Sequence, residues 1–391
     1  MLLTVIQTTL TEIRGWSHRQ EAPAQTTVFF AVLLVASLPT APFLLSISMW
    51  GLVFVAFWAA LRAQQGTERG FHLGWALVVF SFKKMFSQRI YTVWLLLLLV
   101  PLLSGLWSED QGYWLERVRV RLPFLVLPWA FANFPALSRR QIQLVLYFLV
   151  AWMAVLCMGV GINFLLDHTA ILEAMQQGRP MPVPRNHIRF SLLLATAGVA
   201  GGWLWHERFV WRYAWERKVL PGVVLFLFVF AHVLSVRSGL LALYVVLFFS
   251  MLYFVWHTRR WKLTLLALAL LVLIPWMAVK TLPSLAQKIA YTKYDLEQYL
   301  NNTGENYSDS ERLISLKTGW LIWKENPWLG AGAGDLRQET KRQVTIHFPK
   351  YVQTPKLPHN QFVYILAGTG LAGLLLSMFA FLYPVFAGRL F

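Results

Sequence analysis

The sequence predicts an all-α, polytopic membrane protein with about ten to twelve transmembrane helices and one large helical loop on the outer side. Of its 391 residues, 57% are hydrophobic and only 14% are charged, and the mean hydropathy is +0.52. Many apolar runs approach or exceed the roughly 18–20 residues that a helix needs to cross hydrocarbon. These runs are continuous rather than alternating, which excludes the strands of a transmembrane β-barrel.

The N-terminal part is predicted to be cytoplasmic over residues 1–26. This stretch is of mixed polarity and lacks the apolar core and small-residue cleavage site of a signal peptide. We therefore expect the first apolar run to act as an uncleaved insertion signal.

Residues 27–279 are predicted to form transmembrane helices one to nine, joined by short loops. Pro39 and Pro42 separate the first two runs, which predicts a tight hairpin, and residues 71–82 are short enough to be interfacial. Residues 359–391 form a C-terminal transmembrane region. The apolar runs lie near residues 27–45, 46–62, 90–107, 122–136, 142–165, 188–205, 219–236, 239–256, 263–279 and 361–386.

Orientation follows from the basic residues. A cytoplasmic N-terminus places most Lys and Arg of the short loops inside, as the positive-inside rule requires. The net charge of +17 then reflects topology and contact with anionic membrane lipids, and no nucleic-acid partner is expected. This orientation puts the long polar segment 280–358 on the outer side of the membrane, which for a Gram-negative cell is the periplasm.

The segment 280–358 is predicted to be more than a connector, because loops above roughly fifteen residues are usually functional or disordered. Its apolar residues Leu313, Leu316, Trp320 and Trp323 recur at helical spacing and precede Asn326-Pro327. We therefore expect a mostly helical periplasmic loop with a helix that ends at this dipeptide.

Arginines on the outward-facing side are the exceptions to the positive-inside pattern. An arginine near hydrocarbon costs about 2.5–3.5 kcal/mol on insertion scales, so its retention needs a reason. For Arg117–Arg121, snorkelling to headgroups and function weigh equally, whereas for Arg189 and Arg237 function is favoured. The planar guanidinium grips phosphate oxygens bidentately, which suits a lipid-linked phosphate or diphosphate at the membrane surface.

His359 begins the last apolar run from the outer side, so we expect it at the depth of Arg189 and Arg237. An imidazole titrates near neutral pH and suits proton transfer, although a lone histidine at a helix start is often only interfacial. Diphosphate-binding arginines combined with one base indicate group transfer from a lipid diphosphate, with that diphosphate as the leaving group.

Other motifs favour structural roles. The GAGAG at Gly330–Gly334 lacks the Gly-Lys-Ser/Thr of a P-loop and is interpreted as a helix-ending turn. Glu109 and Asp110 are interpreted as an N-cap and first-turn charges. The histidines show no metal-ligand spacing, so no metal site is predicted. Cys157 is the lone cysteine and lies inside a predicted span, which excludes an intrachain disulfide.

Four patches resemble a bacterial superfamily shared by O-antigen ligases, O-antigen polymerases and protein O-oligosaccharyltransferases. The His-Asn pair at His359, followed after nine residues by Gly370, resembles the His-Asn-x9-Gly signature of the ligases. The RFSLL beginning at Arg189 resembles their Arg-x3-Leu element, and the SVRSG around Arg237 their second membrane-edge arginine. The segment SERLISLKTGWLIWKENPWLGAGAGD is similar to the superfamily's outer-loop core.

The resemblance implies metal-independent, inverting glycosyl transfer at the periplasmic face of the bacterial inner membrane, with no cofactor. The donor would be a polysaccharide linked to undecaprenyl diphosphate, and the acceptor a sugar hydroxyl of lipid A–core, which completes lipopolysaccharide. About twelve spans are usual in this family, more than are countable here, and further helices beyond Phe391 would supply the difference. The carried-over residues are His359 as catalytic base, Arg189, Arg237 and Arg185 for diphosphate binding, and Arg312 and Asn360 as further candidates.

Three other functions stay open. An O-antigen polymerase uses the same donor but more often has two comparable outer loops, whereas the second one here, residues 166–187, is short. A protein O-oligosaccharyltransferase would be expected to carry a larger C-terminal outer domain. A lipid or glycan transporter would show internal repeats with interrupted helices in corresponding positions. The dominant single loop favours the ligase.

Overall fold

A computed structural model describes residues 21–64, 72–177, 179–259, 261–281, 283–301, 308–352 and 355–387. Within these ranges every regular element is helical, which confirms the predicted all-α class. The first helices are α1 (Glu21–Ser37), α2 (Pro42–Gln64), α3 (His72–Ser87), α4 (Arg89–Trp94), α5 (Leu96–Leu103), α6 (Gln111–Arg121), α7 (Pro123–Asn133), α8 (Arg139–Leu166) and α9 (His168–Gln176). The remaining helices are α10 (His187–His206), α11 (Glu216–Leu234), α12 (Arg237–Thr258), α13 (Trp261–Thr281), α14 (Pro283–Leu300), α15 (Ser308–Glu325), α16 (Leu336–His347) and α17 (Gln361–Ala387). Of the predicted cytoplasmic segment 1–26, residues 1–20 lie outside the described residues.

Seven helices in the described ranges are long and apolar enough to cross a membrane. They are α2, the continuous stretch of α4 and α5, α8, α10, α11, α12 and α17. Helices α13 and α14 meet at a bend of 93° and make an eighth span if they are counted as one broken crossing. The protein is therefore a multi-pass membrane protein.

The run predicted near 122–136 differs from a full span, because it forms only α7, which has 11 residues. A helix of this length rises about 16 Å, roughly half of the hydrocarbon thickness. Prolines bound it: Pro123 is in its first turn, and Phe134 has an extended ψ of 148° immediately before Pro135. The residue before a proline disfavours the helical region, which ends the helix there.

Contacts divide the chain into two compact units, of which the second comprises Ala24–Leu52 and Ala136–Lys293. In this unit α10 packs against α8, α11 and α12. Met153, Phe190 and Leu227 are almost fully buried in the shared core. Cys157 on α8 is also fully buried, inside a span as predicted.

The described residues of the first unit lie mainly in the ranges Val53–Pro135 and Tyr294–Phe391. Here α4, α5 and α15 pack on α17, and α16 packs on α15. A small core of Ile322, Leu336 and Ala367 joins α15, α16 and α17. The helix predicted before Asn326-Pro327 is confirmed as α15, which ends at Glu325.

Candidate active site

The candidate base His359 lies immediately before α17, where neighbouring residues fix its backbone. The next residue, Asn360, caps the helix, and its Oδ1 accepts from the backbone N–H groups of Phe362 (2.8 Å) and Val363 (3.3 Å). The backbone N–H of His359 donates to Ser315 Oγ on α15 at 3.3 Å. The backbone of His359 is thereby held at the junction of α15 and α17, and its side chain is exposed.

Two positively charged side chains, Arg312 and Lys356, act on His359. Lys356 pairs with Glu311, and Arg312 lies on the same turn of α15 as Glu311. Burial, followed by the charges of Arg312 and Lys356, lowers the pKa of His359 from its ordinary value of 6.5, while Glu311 opposes this effect. The imidazole is therefore mainly neutral at pH 7, the form that can accept a proton.

Helix α17 is interrupted at Gly370, whose φ of 66° and ψ of −168° lie in a region that only glycine adopts readily. The break leaves backbone N–H and C=O groups of α17 without partners inside the helix, and the segment 327–332 forms hydrogen bonds with them. An ideal Cβ on Gly370 would lie 2.2 Å from the carbonyl of Trp328, so the two backbones touch. Four backbone hydrogen bonds join them: Ala331 N to Ala367 O (2.9 Å), Gly332 N to Gly368 O (2.9 Å), Leu371 N to Pro327 O (2.8 Å) and Ala372 N to Trp328 O (3.3 Å).

The GAGAG turn has a structural role between α15 and α16, as its lack of a phosphate-binding signature predicts. Its next residue, Asp335, accepts hydrogen bonds from the backbone N–H groups of Glu109 (2.8 Å) and Asp110 (2.8 Å). The Asp110 side chain in turn accepts from Tyr113 N at 2.8 Å and caps α6, which confirms the predicted N-cap, whereas Glu109 precedes the cap and is not a first-turn charge.

Arg189 and Arg237 occupy the first turns of α10 and α12 in the second unit. An ideal Cβ on Gly239 would lie 2.4 Å from Ser191 Cβ, so the two helices touch two residues after each arginine. Their N-terminal ends are therefore side by side, and both arginine side chains are exposed. The sequence predicts that the two guanidinium groups share one cavity, and this stays a prediction.

Local structure explains how each arginine reaches its helix start. Asn186 caps α10 through bonds from the backbone of Ile188 (2.9 Å) and Arg189 (3.0 Å). Before α12, Ser235 adopts a left-handed φ of 55° and reverses the chain within the short turn predicted from the sequence. The Arg237 guanidinium donates to Thr292 Oγ1 on α14.

Arg185 lies outside α10, in the turn before it, and has a left-handed φ of 62°. Its side chain is exposed. It is not one helical turn before Arg189 on a common helix face, and a shared phosphate-binding role stays a prediction.

Sequence reasoning missed three residues around the candidate groups: Ser315 and Thr292 through hydrogen bonds, and Lys356 through its charge. Only Lys356 had a usable signal, because it precedes His359 by three residues in the same polar stretch. Ser315 and Thr292 lie in ordinary helical sequence, and nothing in the pattern indicates what they meet. No group of three or more His, Cys, Asp or Glu side chains among the described residues could hold a metal ion.

These features define a multi-pass α-helical membrane protein that has exposed arginines and an exposed histidine at the starts of apolar helices. Residues 209–378 match the model of the protein family described as O-Antigen ligase. The superfamily that the four sequence patches resemble is thereby confirmed. The matched range includes Arg237, Arg312, His359 and Gly370 but not Arg189, whose assignment rests on the resemblance of its own patch.

A comparison with curated proteins gives no match for this chain. The family match implies a glycosyltransferase-like enzyme of the ligase and polymerase superfamily. Such enzymes use polyprenyl-linked glycan donors and, in general, lipid acceptors.

Proposed function

We propose that the protein is an O-antigen ligase of the bacterial inner membrane. It transfers a polysaccharide from undecaprenyl diphosphate to a sugar hydroxyl of lipid A–core on the periplasmic side. The observation that carries this proposal is an accessible, cation-flanked histidine at a helix start inside the segment that matches the ligase family.

The proposed reaction is a single inverting displacement. The ring nitrogen of His359 accepts the proton of the acceptor hydroxyl, and the acceptor oxygen forms a bond to the anomeric carbon of the donor glycan. The bond between that carbon and the diphosphate oxygen breaks, and lipid diphosphate leaves with the electron pair. This chemistry needs a base whose pKa lies near or below the working pH, and the lowered pKa of His359 meets that requirement.

Arg189 and Arg237 are assigned to the diphosphate. Each stands in the first turn of a helix, where the helix dipole adds partial positive charge to the guanidinium. Bidentate contacts to phosphate would neutralise the charge that develops as the diphosphate leaves. Arg312 is assigned a supporting role, because its charge acts on the same imidazole.

The decisive experiment gives the purified protein a lipid-linked glycan and one of three acceptors: lipid A–core, more lipid-linked glycan, or an unfolded protein rich in Ser and Thr. Product is followed by gel electrophoresis and mass spectrometry. A ligase extends lipid A–core, whereas extension of the glycan itself identifies a polymerase and glycosylated protein identifies an oligosaccharyltransferase.

The catalytic assignment is tested with His359→Ala, and His347→Ala serves as a matched control because His347 is an exposed histidine at the end of α16. We expect His359→Ala to abolish transfer and leave donor binding nearly intact, and His347→Ala to behave like wild type. Lost donor affinity with a preserved maximal rate in His359→Ala would rule out the base.

A further inference from the structure

Next to the proposed catalytic histidine lies an open groove of about 500 Å³ in the first unit. Its walls come from α15, from Phe348 after α16, and from Asn360 and Val363 at the start of α17. Volumes of 300–1,000 Å³ lined by aromatic residues and a few polar groups are typical of ligand sites. Asn360, the residue that follows His359 in the chain, lines the groove.

Trp320 is the main aromatic wall of the groove, and its side chain is 47% exposed. A second indole supports it, since the ring centroid of Trp323 lies 4.5 Å away. A supported and exposed aromatic face is the surface against which the C–H bonds of a pyranose ring pack. Indole offers the largest such face and loses little conformational entropy when it becomes covered.

Two polar side chains line the same groove as the indole. Lys317 lies one turn before Trp320, lines the groove and is exposed. The helix cap formed by Asn360 uses its Oδ1, which leaves the two amide hydrogens as donors. The Lys317 ammonium lies over the ring of Tyr299, 5.2 Å from its centroid. A groove lined by an aromatic platform, an ammonium and an amide is suited to a sugar, which has apolar faces and a hydroxyl rim.

A hydrocarbon chain is the other occupant that an exposed tryptophan suggests. The helix face argues against it, because Lys317 and Lys324 stand three residues before and four residues after Trp320 and are both exposed. Residues at these spacings share one helix face. Two ammonium groups on either side of the indole favour contact with water over contact with lipid tails.

We propose that this groove binds a sugar residue of the acceptor glycan, with Trp320 stacked on the ring and Lys317 and Asn360 bonded to its hydroxyl groups. The inference rests on the proposed function, since it names the part of the acceptor that is held next to His359. It assigns acceptor specificity to α15, which touches the proposed base through Ser315.

The test measures glycan binding separately from turnover. Core oligosaccharide freed from lipid A is titrated into the detergent-solubilised protein, and binding is followed by saturation-transfer NMR. We expect Trp320→Ala to weaken binding about tenfold, the loss of one aromatic contact, and Trp320→Phe to restore much of the affinity. Trp328→Ala is the matched control, because Trp328 is 70% exposed and does not line the groove.

Kinetics provide a second measurement. Trp320→Ala should raise the KM for lipid A–core about tenfold while the KM for the donor stays unchanged. Equal oligosaccharide affinity in Trp320→Ala and Trp328→Ala, or no binding by wild type, would overturn the groove assignment. If the oligosaccharide binds through Trp320 but no transfer to lipid A–core occurs, the proposed function fails and the sugar site stands.

The lipid alternative has its own outcome. A spin label on Trp320→Cys in nanodiscs reports collisions with oxygen, which concentrates in hydrocarbon, and with a water-soluble nickel chelate. We expect collisions with the nickel chelate to dominate. If collisions of the label with oxygen dominate instead, the groove faces lipid tails and the sugar site is overturned.

Discussion

The interruption of α17 at Gly370 gives the sharpest stability prediction. Gly370→Ala would place a methyl group 2.2 Å from the carbonyl carbon and oxygen of Trp328, where no real Cβ is found. It would also force an L-residue into a φ of 66° and ψ of −168°. Either the segment 327–332 moves away or α17 changes its course, and both outcomes disrupt the contact.

The expected cost follows from two terms. Holding a non-glycine residue in this backbone region costs on the order of 1–3 kcal/mol. Displacing Trp328 endangers the two nearest backbone bonds, from Leu371 to Pro327 and from Ala372 to Trp328, each with a net value of about 1 kcal/mol. We therefore expect Gly370→Ala to reduce the free energy of unfolding by about 3–5 kcal/mol.

The assay is thermal unfolding of the purified protein in one detergent, monitored by circular dichroism or by a fluorescent dye that does not react with thiols. Gly198→Ala is the matched control, because Gly198 is inside α10 and a Cβ there would meet nothing within 4 Å. Alanine is favoured over glycine inside a helix by roughly 0.5–1 kcal/mol, so this control should melt at or slightly above wild type. Identical melting temperatures for both variants would refute the reasoning about the break.

Three further predictions concern the proposed reaction. Arg189→Lys and Arg237→Lys should each lower transfer at least about tenfold, because an ammonium cannot reproduce a bidentate contact to phosphate. Thr292→Val removes the hydroxyl that holds Arg237 and should raise the donor KM about threefold, roughly 0.7 kcal/mol, with kcat nearly unchanged. Activity should fall as pH drops through a His359 pKa below 6.5, and Lys356→Gln should move this acidic limb to higher pH because a positive neighbour is lost.

Each of these predictions has a control in the same unit. Arg217→Lys changes an exposed arginine in the first turn of α11 and should leave transfer unchanged. Thr292→Ser keeps the hydroxyl and should keep the donor KM. Lys324→Gln removes an exposed lysine from the end of α15 and should leave the acidic limb in place. Unchanged turnover in both arginine variants would show that Arg189 and Arg237 only anchor the protein to lipid headgroups. An acidic limb that stays at the same pH in Lys356→Gln would exclude an electrostatic effect of Lys356 on His359.

The helical class could be predicted from the sequence because apolar length alone determines which segments suit a membrane. Several details could not. The run at 122–136 is strongly apolar and is predicted as a span, but Pro123 and Pro135 limit its helix to 11 residues. Hydropathy averages over such backbone effects and therefore overestimates the length of α7.

The break at Gly370 illustrates a second limit. Residues 361–387 form one continuous apolar run, and glycine is common in spans, so composition contains no sign of a discontinuity. The break depends on the segment 327–332, which lies some forty residues earlier and pairs with α17 only in the folded chain. The signature spacing between His359 and Gly370 pointed to the right residue but gave no physical reason for it.

The residues of the candidate site could be predicted from the sequence, but their contacts could not. Arg237 and His359 could be found because a charged or titratable residue beside a span is conspicuous. Their contacts with Thr292 and Ser315 could not, since hydroxyl residues are ordinary within helices and the partners lie 55 and 44 positions away in sequence.

The complete burial of Cys157 has a practical consequence for experiments on this protein. A thiol enclosed by apolar side chains is unreactive, so maleimides and methanethiosulfonates should leave the wild-type chain unmodified. Cysteines introduced at exposed positions would then be the only labelled sites, without the need to remove the native one. Lys341→Cys on α16, labelled in intact cells with an impermeant reagent, would report directly on which side of the membrane this helix lies.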